Sequence, residues 1–257
     1  MSAWMPMLKK ECRGGRIPFL IVLLVLTAAV ILSFYFDSQS SVPDSAVLIA
    51  AGFMLVMVHI FYLPGYMLAS LSSENKKMHL WLQSPLSGSA LLGAKILSGF
   101  GYSLISLAIA CLFTLYAAFF DINILQLNDN LSMSIVISTG ILIVIYILLL
   151  ELYIAVWSTF LWVLDRFLIT RLGGLRWFLI LLIPVISWLF SVIKDSWLYK
   201  ICTQWGAINT DIFTSFTPYL GQYNGTVYIG VIVYHIIIAS LLFGLSSWLL
   251  DNKVEVS

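Results

Sequence analysis

Long apolar runs organise this chain. Six of them, at 17–36, 46–69, 96–120, 133–157, 177–193 and 226–250, are separated by polar stretches. At 1.5 Å rise per residue, about 20 residues cross a hydrocarbon layer about 30 Å thick. Each run therefore predicts a membrane-spanning helix, the fifth at the short end. Lipid offers the backbone no hydrogen-bond partners, so the runs are expected to be helical despite their Val and Ile content. No soluble domain fits between them. The expected fold is an all-α polytopic membrane protein, one transmembrane domain over 1–257.

Two polar flanks carry helical patterns of their own. Before the first run, Trp4, Leu8 and Cys12 share one helical face, with Lys9, Lys10, Glu11 and Arg13 elsewhere. This predicts an amphipathic elbow helix over 3–14 in the membrane interface, followed by a break at Gly14-Gly15. The first run is long enough to span and lacks a small-residue cleavage site, so it is expected to be a retained helix and not a signal peptide. Between the second and third runs, Ser72-Ser73 is suited to capping a helix that reaches Gln83, with Met78, Trp81 and Leu82 as its apolar stripe. Ser84-Pro85 stops it, because the residue before proline is pushed out of the α region. Ser87 is placed to cap the helix that enters the third run.

Composition agrees and charge adds orientation. Hydrophobic residues make up 61% of the 257 and charged ones 10%, far below the roughly 25% of a soluble domain. A mean hydropathy of +1.01 leaves too few polar residues to cover a water-exposed surface. A net charge of +1 without a basic stretch gives no reason to expect nucleic acid. Of the 13 Lys and Arg, eleven fall on one side of the predicted topology, and only Lys194 and Lys200 on the other. The positive-inside rule then puts both termini in the cytoplasm of a cell-membrane protein. Of the cysteines, only Cys202 faces outward, which leaves no intrachain disulfide framework.

The outer segment 194–225 is dense in aromatic residues, as suits the headgroup region. It predicts short interfacial or re-entrant helices broken near Pro218 and Gly221, with Phe213, Phe216 and Tyr219 as outer-gate candidates. Glu151 is the only acidic residue well inside a predicted span. Burying a charge there is costly, which marks it as a substrate-pathway candidate; a carboxyl bonded to a nearby Tyr or Ser is the plainer alternative. His59 and His235, also in spans, are candidates beside it. These three lack the paired spacing of metal ligands, so no metal is expected. Pro64-Gly65 predicts a kink near the cytoplasmic end of the second span.

One stretch resembles a known family. Ser73-Glu74-Asn75-Lys76-Lys77-Met78-His79-Leu80-Trp81-Leu82-Gln83-Ser84-Pro85-Leu86-Ser87, followed by Leu91-Leu92-Gly93-Ala94-Lys95, resembles the ABC-2 type permeases of bacterial ABC transporters. Leu8-Lys9-Lys10-Glu11 is similar to the Lys-Glu start of their elbow helix. At 75–78 the chain departs from the glycine-threonine-like pair of that pattern. The resemblance implies a cytoplasmic coupling helix between spans 2 and 3, docking a separate ATPase subunit through Glu74, Lys77, Met78, Trp81 and Leu82. Asp165 and Arg166 in the 4–5 connection would add a second contact. It further implies a second permease copy, and ATP with Mg on the partner, none in this chain. No Gly-x-x-x-x-Gly-Lys-Ser/Thr is present to cradle phosphates.

The expected function is the permease subunit of an exporter of hydrophobic or amphipathic substrates, peptides, toxins or drugs, similar to phenol-soluble-modulin and bacteriocin-type peptide exporters. An intramembrane enzyme and a secondary transporter using Glu151 are the alternatives. The first would need paired acids, a Ser/His pair or metal ligands at membrane depth; the second, internal repeats. Neither is evident in the linear sequence.

Overall fold

The computed structural model describes residues 4–39, 46–75, 86–120, 133–172, 192–194, 196–209 and 226–252. Among these, helices dominate: α1 (Trp4–Gly14), α2 (Arg16–Gln39), α3 (Ala46–Val58), a 3-10 turn (His59–Phe61), α4 (Tyr62–Glu74), α5 (Gly88–Phe120), α6 (Met133–Leu172), α7 (Trp197–Thr203) and α8 (Ile229–Asn252). Five helical stretches are long and apolar enough to cross a membrane. The predicted span at 177–193 lies outside the described residues but for its last two. Those five stretches make the chain a multi-pass membrane protein in character.

Contacts divide the chain into two compact units, Met1–Ser70 with Leu91–Ala155, and Leu71–Ala90 with Val156–Ser257. In the first unit α2, α3, α5 and α6 share a core of Leu26, Val56, Leu107, Ala110 and Ile147. A second cluster, Leu48, Phe113 and Ala117, extends it. Much of α2 presents Leu, Ile, Val and Phe outward, as a lipid-facing helix does.

Several elements differ from the sequence reading. The second span is two helices joined by the 3-10 turn, and the tightening precedes Pro64 by a turn. Pro64 lacks an N–H and its ring crowds the carbonyl four residues earlier, at Ile60, inside the turn. Ser72 and Ser73 do not start a new helix; they sit in the last turn of α4. The rest of the expected coupling helix, 76–85, lies outside the described residues. Helices α5 and α6 have 33 and 40 residues, about 50 and 60 Å of length. Both outrun the hydrocarbon, so their ends reach polar surroundings.

In the second unit, Ser87 precedes α5 as expected, and its hydroxyl accepts from the Ala90 N–H at 3.4 Å. Asp251, near the end of α8, accepts from the Gly88 N–H at 2.7 Å. A carboxylate there meets the unpaired N–H groups and positive dipole of a helix start. A side chain at Gly88 would run into Asp251 and the Ser247 carbonyl. At the other end of α8, the described part of segment 194–225 is not purely helical. Ser196 caps α7 by accepting from the Tyr199 N–H at 3.2 Å. A two-stranded antiparallel pair follows, β1 (Ala207–Asn209) with β2 (Thr226–Tyr228), in register Ile208 to Val227. Residues 210–225 between them, with the predicted breaks at Pro218 and Gly221, lie outside the described residues.

Candidate functional site

The polar residues of the first unit gather in two clusters, each spanning several helices. The upper one starts at the 3-10 turn. Tyr62 donates its N–H to the His59 carbonyl, an i to i−3 bond. In a continuous α-helix that carbonyl would belong to Leu63, so the turn releases the Leu63 N–H. Glu151 on α6 takes it: Oε1 accepts from Leu63 N at 2.9 Å. Ser103 on α5 brings its hydroxyl to 2.6 Å from Oε1 and 2.9 Å from Oε2. Glu151 and Ser103 are both fully buried. One carboxyl thereby joins spans two, three and four, and the plainer expectation, a carboxyl bonded to a serine, describes its contacts.

His59 lies beside it. Its Nδ1 is 2.7 Å from the Leu55 carbonyl and its Nε2 3.1 Å from Ser106 Oγ. Ser106 Oγ in turn reaches the Ser103 carbonyl at 3.1 Å. The Leu55 carbonyl requires a proton on Nδ1, so a neutral imidazole leaves Nε2 as an acceptor. Ser106 then has one hydroxyl proton for two acceptors, Nε2 and the Ser103 carbonyl. The Tyr62 ring stacks near His59, and among the described residues its buried hydroxyl has no partner.

This is a Ser–His pair, which the linear sequence hid because 47 residues separate its members. Both residues are buried, and the imidazole is oriented by a helix carbonyl, not by a carboxylate.

The lower cluster ties α1 down. Lys95 on α5 donates to Glu11 Oε2 at 2.8 Å and to Ser70 Oγ at 2.9 Å. Glu11 is therefore buried, not solvated on the polar side of an amphipathic helix, while Lys9, Lys10 and Arg13 are exposed. Tyr102 donates its hydroxyl to the Cys12 carbonyl, and Tyr66 Oη is 3.0 Å from Ser98 Oγ. Glycines let the helices close in. A Cβ at Gly15 would meet the Tyr102 ring and the Tyr66 hydroxyl, and one at Gly99 would meet the Tyr66 ring and Leu63. The expected break at Gly14-Gly15 shrinks to the single residue Gly15, and helical bonds continue across it, from Gly15 N to Glu11 O at 2.9 Å and Phe19 N to Gly15 O at 3.1 Å.

An apolar groove of about 460 Å³ opens between spans two, three and four of this unit. Phe53, Leu104, Leu107, Leu115, Ile141 and Leu148 line it. Its polar members are few, and Thr114 spends its hydroxyl on the Ala110 carbonyl of its own helix.

The other sequence candidates lie apart or undescribed. His235 on α8, in the second unit, bonds the Val231 carbonyl one turn back at 2.7 Å and touches Tyr234. Glu74 ends α4 and is half-buried. Asp165 and Arg166 are neighbours on α6 at 3.8 Å, and the Arg166 guanidinium lies 5.3 Å from the Trp162 ring centre. Lys77, Met78, Trp81, Leu82, Phe213, Phe216 and Tyr219 lie outside the described residues. Among the described residues no three His, Cys, Asp or Glu side chains gather as a metal set. Compared with protein-family models, curated proteins and solved structures, the chain matches none of them.

Proposed function

We propose that this chain is the membrane permease subunit of an ATP-driven exporter of the ABC-2 type, working as a dimer with a separate ATPase on its cytoplasmic face. One observation carries the reading. The Lys-Glu stretch of α1 and the Gly-x-Lys stretch of α5, on which the resemblance rests, meet in a buried ion pair between Glu11 and Lys95. Ser70, in the last turns of α4 before the proposed coupling segment, shares that lysine. A force applied at 76–85 would therefore reach α1 and the first span together. The apolar groove fits the hydrophobic or amphipathic class of substrate.

The proposal includes six crossings. Among the described residues five helical stretches are long and apolar enough to cross a membrane, and the apolar run at 177–193 is the proposed sixth. With the charge asymmetry, both termini belong in the cytoplasm.

The test is ATP hydrolysis. Extracted in mild detergent with its partner, the chain should carry vanadate-sensitive ATPase activity; stripped of the partner, it should have none and should support no gradient-driven flux. Flux through the isolated chain would overturn the proposal. The buried Ser106–His59 pair favours a second reading, an intramembrane hydrolase. Ser106→Ala would abolish function on that reading and leave ATP-driven export largely intact on ours.

A further inference from the structure

We propose that Glu151 is the pin of the broken second span, holding the backbone N–H that the turn before Pro64 releases, and that this work needs an acceptor and not a charge. Three observations converge. Tyr62 donates to the His59 carbonyl, the acceptor that Leu63 N–H would use in a continuous α-helix. Glu151 Oε1 lies 2.9 Å from that nitrogen. Among the described residues no Lys or Arg lies within ion-pair reach of the carboxyl, since Lys95 is engaged with Glu11.

An unpaired N–H at membrane depth is costly, and freed backbone groups in broken spans are satisfied by neighbouring helices. Here the neighbour is α6, and Ser103 on α5 steadies the same carboxyl. Glu151 is therefore a positioning residue that acts through the Leu63 amide. A proton carrier or a ligand for a cationic substrate would instead need a carboxyl that titrates or ionises. An amide separates the two roles, because the Gln carbonyl accepts from Leu63 while its NH₂ donates to Ser103. The inference stands on the geometry of the break and holds whatever the substrate.

The experiment is hydrogen exchange at the Leu63 amide, read by fragmentation mass spectrometry on the full chain in nanodiscs. It compares wild type, Glu151→Gln and Glu151→Leu. Exchange in Glu151→Gln should stay within about threefold of wild type, and Glu151→Leu should exchange about tenfold faster or more. Gln exchanging as fast as Leu would show that the charge is required and would overturn the proposal. A Leu variant as protected as wild type would overturn it equally. Should the Leu variant fail to accumulate, Glu151→Gln decides alone: protection supports the pin, and a tenfold loss rejects it.

Discussion

Lys95→Met should destabilise this protein severely, and adding Glu11→Met should recover most of the loss. Lys95 is 1% exposed and Glu11 6%, with 2.8 Å between the charged atoms. Taking charge centres about 4 Å apart and an effective dielectric near 20, the attraction is about 4 kcal/mol. Desolvating the two ions offsets much of it, so the pair's net contribution is small. Removing one partner is different, because it strands a buried charge at a cost of about 3–5 kcal/mol. The two single variants should not be equal. Without Glu11, Lys95 keeps Ser70 Oγ, and its stem can carry the ammonium towards water. Without Lys95, Glu11 keeps no cation, and its Oε1 already lacks a partner among the described residues. Lys95→Met should therefore cost more than Glu11→Met. The double variant, with no charge to strand, should fall within about 2 kcal/mol of wild type. Reversible unfolding by SDS in mixed micelles measures all four corners of the cycle. Additive costs, with a coupling below about 0.5 kcal/mol, would refute the buried pair.

Further substitutions probe the other contacts. Gly99→Ala should cost about 1–3 kcal/mol in the same assay, because its methyl lands in the Tyr66 ring and against Leu63. Asp251→Ala should cost about 1 kcal/mol as a lost helix cap, whereas Asp251→Asn, which keeps an acceptor for the Gly88 N–H, should cost less. On the proposed topology a membrane-impermeant maleimide applied to intact cells should label the exposed Cys202, and Cys12 only after permeabilisation. Labelling of Cys12 from outside would reverse the orientation.

Hydropathy made the spans legible, because a lipid-facing helix must be apolar along its length whatever it packs against. It could not place the helix ends. Gly88–Lys95 and Asp165–Leu172 are too polar for hydrocarbon, yet a helix need not stop where lipid does. Glu151 stood out by charge alone, but besides Ser103 its partner is the Leu63 backbone amide, and no side-chain pattern announces a backbone partner. The shift of the break to 59–61 follows from the reach of a proline ring back to the fourth preceding carbonyl, a signal present in the sequence at Pro64. Glu11 illustrates the opposite case. Its neighbours Lys9, Lys10 and Arg13 are polar and exposed, so periodicity put it with them. Only a partner 84 residues away, Lys95, explains why it turns inward. The strand pair at 207–209 and 226–228 is too short to leave an alternating pattern.

The central claim, that the chain is driven from the cytoplasm by a separate ATPase, is tested most directly by affinity purification of the tagged full-length chain from its native membrane in mild detergent. The account predicts a co-purifying nucleotide-binding ATPase subunit, with the association weakened by Glu74→Ala and Trp81→Ala and kept by substitutions in 194–209. A chain that purifies without any ATPase, yet retains its activity in liposomes, would contradict it.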